Sequence, residues 1–357
     1  MLQFVLGRAG SGKTEYLRRL LADRSRAGLG GVMMLVPEQY TFETEKAMLR
    51  LAGPVRGNAI PVYSFTRLAE AVFRREGGAV GRRLSDGGRR ILMASAIEAC
   101  QDRLEVYASA AKGGRVNDVM LTAVNEMKMC GISPGDLLET ARTLGDRGLG
   151  KKLRELSLLY DTYDGLVAAS YLDSRDDLTR LAQALETSGF FQGYTVAVDS
   201  FEGFTAQELA VLTQILRRAD QVVVSLCTDG LDTTGTGLFA LVDRTRRRLS
   251  AAAQENGVRI QPPVMLTGAP RFQNENLKLV EAQLFCGGET MTSQDHEGIQ
   301  VFEARDPYEE AEFVAATIRR LVTEENCRYR EISIICRSPE RYYGCLDAAL
   351  KRRDIPC

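Results

Sequence analysis

The chain has 357 residues, 45% hydrophobic and 26% charged, with a formal net charge of -1. That length allows two or three domains with a substantial buried core. The charge excludes a globally basic nucleic-acid binder, so any such site must be a local groove; no run is apolar for long enough to cross a bilayer, and no basic segment ahead of an apolar stretch marks an export signal.

The first element is a short apolar strand, Leu2-Gln3-Phe4-Val5-Leu6. Gly7-Arg8-Ala9-Gly10-Ser11-Gly12-Lys13-Thr14 follows and fits G-x-x-x-x-G-K-[ST] at every fixed position. Tyr16, Leu17, Leu20 and Leu21 then recur at helical spacing. Strand, glycine-rich turn and helix are the context a phosphate-binding loop requires. The glycines let backbone N–H groups approach phosphate oxygens, and the helix N-terminus adds a positive dipole end. In that pattern Lys13 reaches the β- and γ-phosphates of ATP and the Thr14 hydroxyl binds Mg²⁺. The plainer reading is a structural strand–turn–helix corner.

A second strand, Val32-Met33-Met34-Leu35-Val36, is continuously apolar, as buried parallel strands are. It ends at Pro37-Glu38-Gln39-Tyr40. A third, Ile60-Pro61-Val62-Tyr63, leads into Ser64-Phe65-Thr66-Arg67 and a helix. From about 80 to 188 the pattern is helical throughout, with no strand-like run. Strands resume at Thr195-Val196-Ala197-Val198-Asp199 and Gln221-Val222-Val223-Val224-Ser225-Leu226. Residues 270 to 297 are polar and irregular. A fresh β/α unit is expected from Ile299-Gln300-Val301-Phe302-Glu303, through a helix with Ala311, Phe313, Val314, Ile318 and Leu321, to a strand Ile332-Ser333-Ile334-Ile335-Cys336.

Eight cysteines, Cys100, Cys130, Cys227, Cys286, Cys327, Cys336, Cys345 and Cys357, include no pair at C-x-x-C spacing, and His296 is the one histidine. This argues against a zinc or local iron–sulfur motif. With no export signal, free thiols in a reducing cytoplasm are expected.

Asp199 ends a strongly apolar strand, where P-loop enzymes place a second Mg²⁺ ligand. An active nucleic-acid motor carries Glu next, to activate the attacking water. Here that residue is Ser200, so Asp199 can bind metal while efficient hydrolysis is doubtful. Gln39, Tyr40 and Thr41, Phe65 and Arg67, and Phe201 and Phe204 all follow strands. They fall at one carboxyl edge, where α/β folds bind ligands. Aromatic rings there can stack bases, and Arg or Thr can hold phosphates; each phenylalanine can equally be core beneath a loop. Arg337 follows the strand expected at 332–336, where a two-lobed motor aims an arginine at the γ-phosphate. Alone it reads as a solvated strand-end residue.

Together these pieces resemble the N-terminal part of the AddB (RexB) family, B subunits of bacterial helicase–nucleases that process DNA double-strand ends. The resemblance rests on the 4–14 stretch, on Leu35-Val36-Pro37-Glu38-Gln39-Tyr40-Thr41-Phe42, on Val62-Tyr63-Ser64-Phe65-Thr66-Arg67-Leu68, on Val198-Asp199-Ser200-Phe201-Glu202-Gly203-Phe204-Thr205-Ala206-Gln207-Glu208, and on Tyr329-Arg330-Glu331-Ile332-Ser333-Ile334-Ile335-Cys336-Arg337. It implies an α/β, superfamily 1 helicase-like architecture. A RecA-like parallel-sheet domain (1–78 and 191–296) would be split by an all-helical insertion (79–190), and a second RecA-like domain would start at 297–357. It implies ATP and Mg²⁺ as cofactors, with a 4Fe-4S cluster only in a C-terminal nuclease domain absent from this chain. It implies an AddA-type partner that drives translocation. The B subunit's helicase-like part, a degenerate motor, would hold single-stranded DNA and scan it for Chi in recombinational repair. By position, Gln39, Thr41, Phe65, Arg67 and Phe204 are the expected strand contacts, and Asp199 and Arg337 the expected catalytic groups. Two other readings remain: a P-loop small-molecule or nucleoside kinase with a helical lid, and a scaffold that binds ATP only for stability.

Overall fold

The computed structural model describes residues 1–78, 81–108, 115–145, 148–230, 237–285 and 298–356. Cys286, Cys357, His296 and the Gly287-Gly288 pair lie outside the described residues. The chain falls into two compact units, Met1–Gln273 with Glu281–Glu289, and Asn274–Val280 with Thr290–Cys357.

The first unit begins β1 (Leu2–Gly7), α1 (Lys13–Arg26), β2 (Gly31–Leu35), α2 (Thr41–Ala52), α3 (Pro54–Asn58), β3 (Val62–Tyr63) and α4 (Phe65–Glu76). A helical stretch follows: β4 (Arg82–Arg83), α5 (Asp86–Cys100), α6 (Arg115–Cys130), α7 (Pro134–Leu144), α8 (Gly148–Ser170), β5 (Tyr171–Leu172) and α9 (Asp177–Leu185). The chain then returns to the sheet with β6 (Tyr194–Val198), α10 (Ala206–Arg218), β7 (Gln221–Cys227), α11 (Ala240–Glu255) and β8 (Val264–Met265). Three further helices are α12 (Glu275–Gln283), α13 (Pro307–Glu324) and α14 (Leu346–Arg352).

The main sheet has six strands in the order β3-β2-β6-β7-β1-β8, all parallel. The central strands β2, β6, β7 and β1 are buried on both faces because helices cover both. Alternation along the strands divides the core. Phe4, Leu6, Met33, Leu35, Val196 and Val198 pack with α4, α9, α10 and α11 on one side. Val5, Val32, Met34, Ala197 and Val223 pack against Leu17 and Leu21 of α1 and Met48 of α2 on the other. Although β2 and β6 are far apart in sequence, Leu35 pairs with Val198, which brings their carboxyl ends together.

The stretch between β3 and β6 builds its own core from Met93, Ile97, Met120, Val124, Leu159, Tyr160, Tyr163 and Val167. The only strand pairing there among the described residues is the two-residue parallel pair β4–β5. Buried charges tie this core to the return segment. Arg89 forks onto Asp173, which also accepts from the Tyr163 hydroxyl at 3.2 Å. Lys128 sits 2.8 Å from Asp176 and 2.9 Å from Asp164. Burial alone would depress the Lys128 ammonium's pKa, but the two carboxylates outweigh it and hold the group above its ordinary range.

Two expectations fail in the second unit. Neither 299–303 nor 332–336 forms a strand. An extended segment needs a laddered neighbour to stabilise it, and no pairing reaches either segment among the described residues. Val301 and Ile335 stay 95% and 93% exposed, while Ile332 packs on the unit's small core and Phe302 stacks on Phe313 without either segment forming a strand. This unit instead packs Ala311, Ala315 and Ile318 of α13 against Ala349 and Leu350 of α14.

Candidate nucleotide site and strand edge

The turn between β1 and α1 is shaped by three glycines. Gly10 and Gly12 take φ of 74° and 91°, in the left-handed region that L side chains avoid. At Gly7 an added Cβ would lie 2.6 Å from the Leu266 carbonyl oxygen, so the loop can pass β8 only without a side chain. Gly12 also caps α1 without any side-chain hydrogen bond. The first N–H groups of a helix have no intrahelical acceptor, so this end presents donors and a positive dipole end to an anion.

Lys13 folds back over the loop. Its ammonium donates to the carbonyls of Gly7 and Arg8, each at 2.8 Å, and lies 3.5 Å from Ser11 Oγ. Desolvation is the largest influence on it and lowers its pKa; Cys227 and Asp199 pull the other way without overcoming it. Arg271 adds to the lowering, which places a second cation close to Lys13. The loop, the first turns of α1, Ser200 and Arg271 line one open cavity of about 1000 Å³. Arg8 instead turns to Glu281, donating from Nε to its carboxylate at 3.0 Å, and lies 5.4 Å from the Phe239 ring centroid.

Asp199 is buried at the end of β6. Its carboxylate accepts from the Ser225 hydroxyl on β7 and from the Ser200 hydroxyl at 3.2 Å. Ser200 carries φ of 66°, an uncommon conformation for a residue with a side chain. The Thr14 hydroxyl and Asp199 are hard oxygen donors of the kind Mg²⁺ selects. No cluster of three or more His, Cys, Asp or Glu residues suited to a metal occurs among the described residues.

The carboxyl ends of β3, β2 and β6 lie side by side, since Leu35 pairs with both Tyr63 and Val198. The structure therefore brings Gln39, Thr41, Phe65, Arg67 and Phe204 to one edge. They differ in accessibility. Gln39 and Arg67 are exposed, and Arg67 pairs with Glu45 at 2.8 Å. Thr41 is buried, its hydroxyl donating to the Glu38 carbonyl at 2.9 Å. Phe65 and Phe204 are buried against Phe201, with centroids 5.6 Å and 5.0 Å from it, so they build the floor of the edge rather than offer free faces. Arg337 belongs to the second unit and lies exposed beside Arg341 and Tyr342 in a cavity of about 320 Å³.

Sequence reasoning missed Arg271 and Phe272, which sit in a stretch read as irregular. The Arg271 N–H donates to the Gly10 carbonyl at 3.3 Å, and Phe272 closes on Gly10. No spacing in the sequence marks them; only the return of β8 beside β1 does.

Residues 4–281 match a family model described as ADDB, N-terminal. The chain belongs to the AddB family. The relatives include proteins named as the B subunit of an ATP-dependent helicase/deoxyribonuclease. That of Thermoanaerobacter sp. (strain X514) is 34% identical over 99% of this chain and 31% of its own length. Those of Caldanaerobacter subterraneus subsp. tengcongensis and Acetivibrio thermocellus are 30% and 29% identical, over 31% and 32% of their lengths. The chain thus spans about a third of the length of the curated AddB relatives it matches. No helix among the described residues is long and apolar enough to cross a membrane.

Proposed function

We propose that this chain is the ATP-binding, strand-holding part of a helicase/deoxyribonuclease B subunit. In this reading a RecA-like domain (1–78 and 191–296) carries a helical insertion (79–190), and 297–357 opens a second such domain. The observation that carries the reading is the uncapped N-terminus of α1 beneath a left-handed glycine turn, with Lys13 held inside that turn. Phosphate oxygens fit the backbone N–H groups of Gly7 to Thr14, and Lys13 exchanges its two carbonyl partners for them. Thr14 and Asp199 would hold Mg²⁺. Bound ATP would supply a phosphoanhydride whose cleavage drives conformational change in active motors. Here the residue after Asp199 is Ser200, a hydroxyl that donates to Asp199 and offers no carboxylate to activate water. Slow or absent turnover follows, and the chain acts as a degenerate motor.

The edge at β3, β2 and β6 holds the strand in this reading. Gln39 and Arg67 contact a single DNA strand there, Thr41 and the Phe65–Phe201–Phe204 floor shape the track, and the strand is scanned for Chi. An AddA-type partner would supply translocation in the cytoplasm. A labelled oligonucleotide titrated with the chain at two salt concentrations tests strand holding. Binding that weakens steeply with salt supports a phosphate-contacting track. A folded chain with no affinity at low salt defeats it.

A further inference from the structure

The 244–248 stretch of α11 holds four arginines in five positions, Arg244, Arg246, Arg247 and Arg248, in a chain of net charge -1. Arg246 and Arg247 both bind Asp243, a carboxylate buried at the helix base, so Asp243 fixes their directions. On the buried side, Val242, Leu249 and Ala253 join the core. The Thr245 hydroxyl donates to the Glu202 carbonyl at 2.8 Å, and Arg248 Nη1 donates to the Phe204 carbonyl at 3.3 Å. Both acceptors belong to the loop after Asp199, so α11 is fastened to the strand edge just described. The outward face repeats at i, i+3 and i+7: Leu241, Arg244 and Arg248. All three are exposed, and Arg244 has no hydrogen-bond or ion-pair partner among the described residues. Arg248 has one of its five donors tied to Phe204 and is held at the edge with the rest available.

We propose that Arg244 and Arg248 of α11 bind backbone phosphates of a single DNA strand, extending the track from the β2–β6 edge across the 200–205 loop. The inference rests on the strand-holding function proposed above. Three features favour a phosphodiester ligand: guanidinium forks suit phosphate oxygens, α11 is hydrogen-bonded to the loop that leaves the edge, and anchoring through Thr245 and Arg248 reduces the ordering cost of binding. Glu202, exposed in the same loop, sets a carboxylate beside these anchors and would confine the strand to the arginine side. Contacts of this kind position a strand and carry no base identity.

The test compares the wild-type chain with R244Q/R248Q by anisotropy on two labelled single strands of unrelated sequence, across a salt series. Loss of two phosphate contacts lowers the slope of log affinity against log salt by about 1.4, with a fall on the order of tenfold at low salt, equal for both sequences. R244K/R248K keeps the charge and should retain most of the slope, and matching far-ultraviolet circular dichroism establishes that all variants fold. If wild type binds and R244Q/R248Q binds with the same slope, the proposal is overturned, and an acidic protein surface becomes the better ligand for this face. If wild type itself shows no binding, the strand-holding function fails first.

Discussion

Replacing the loop glycines one at a time separates backbone strain from crowding. At Gly12, φ is 91° and an added Cβ meets nothing within 4 Å. Gly12→Ala therefore carries only left-handed strain, about 1–2 kcal/mol. At Gly10, φ is 74° and the new Cβ would lie 2.9 Å from the Phe272 ring and 3.1 Å from Arg271 Cβ. Crowding in a packed site adds about 1–3 kcal/mol, so Gly10→Ala should cost roughly 2–5 kcal/mol in all. Gly7 lies outside the left-handed region, but its Cβ would meet the Leu266 carbonyl oxygen. That backbone cannot retreat easily, because the Leu266 N–H donates to the Leu6 carbonyl at 2.8 Å. Urea unfolding followed by far-ultraviolet circular dichroism suits a chain without tryptophan, and midpoints are comparable if m is unchanged. In a Phe272→Ala background the cost of Gly10→Ala should drop toward that of Gly12→Ala. An unchanged cost there, or Gly12→Ala as damaging as Gly10→Ala in wild type, would refute the packing of Phe272 on the loop.

Two further outcomes concern charge. Glu155 is buried and its carboxylate accepts from the N–H groups of Glu105, Val106 and Tyr107 at 2.9, 2.8 and 3.0 Å. Burial would raise its pKa, but the three N–H groups outweigh burial and hold it below the ordinary 4.5. Its stabilisation is present above that value and lost as pH falls through the lowered one. Glu155→Gln should cost about 1–3 kcal/mol at neutral pH, since one acceptor becomes a donor facing an N–H, with a smaller difference in acid; equal urea midpoints at pH 7 would contradict this clamp. For Lys13, desolvation lowers the pKa below 10.5, whereas a bound polyphosphate favours the charged form and raises it. Nucleotide affinity should therefore fall as pH rises through the lowered pKa, beginning below 10.5. Calorimetric titrations from pH 7 upward that show flat or rising affinity would sink that linkage.

Much of the α/β unit was legible because parallel strands buried on both faces are continuous apolar runs. Val32–Val36 and Gln221–Leu226 needed no partner to be recognised, and neither did the glycine-rich turn. The same signal misled at 299–303 and 332–336, where apolar alternation stands without a ladder to complete it. β8 was invisible because two residues beside β1 carry no period. Residue type and strand-end position put Lys13 at the start of α1 and Asp199 just after β6, where the structure has them. Neither revealed that Phe65 and Phe204 face inward, since burial depends on Phe201 and on how the 200–205 loop folds over them. Arg271 reaches the loop and Arg248 the edge through contacts between distant segments, which a local reading does not encode.

The central claim is that the 7–14 loop binds a nucleotide. Titration of a fluorescent ATP analogue with Mg²⁺ into wild type and Lys13→Ala tests it directly. Wild type should bind saturably and the variant at least about tenfold more weakly, the loss of one charge-assisted contact, with the fold intact by circular dichroism. Equal affinity of the two proteins, or no binding by a folded wild type, would contradict it.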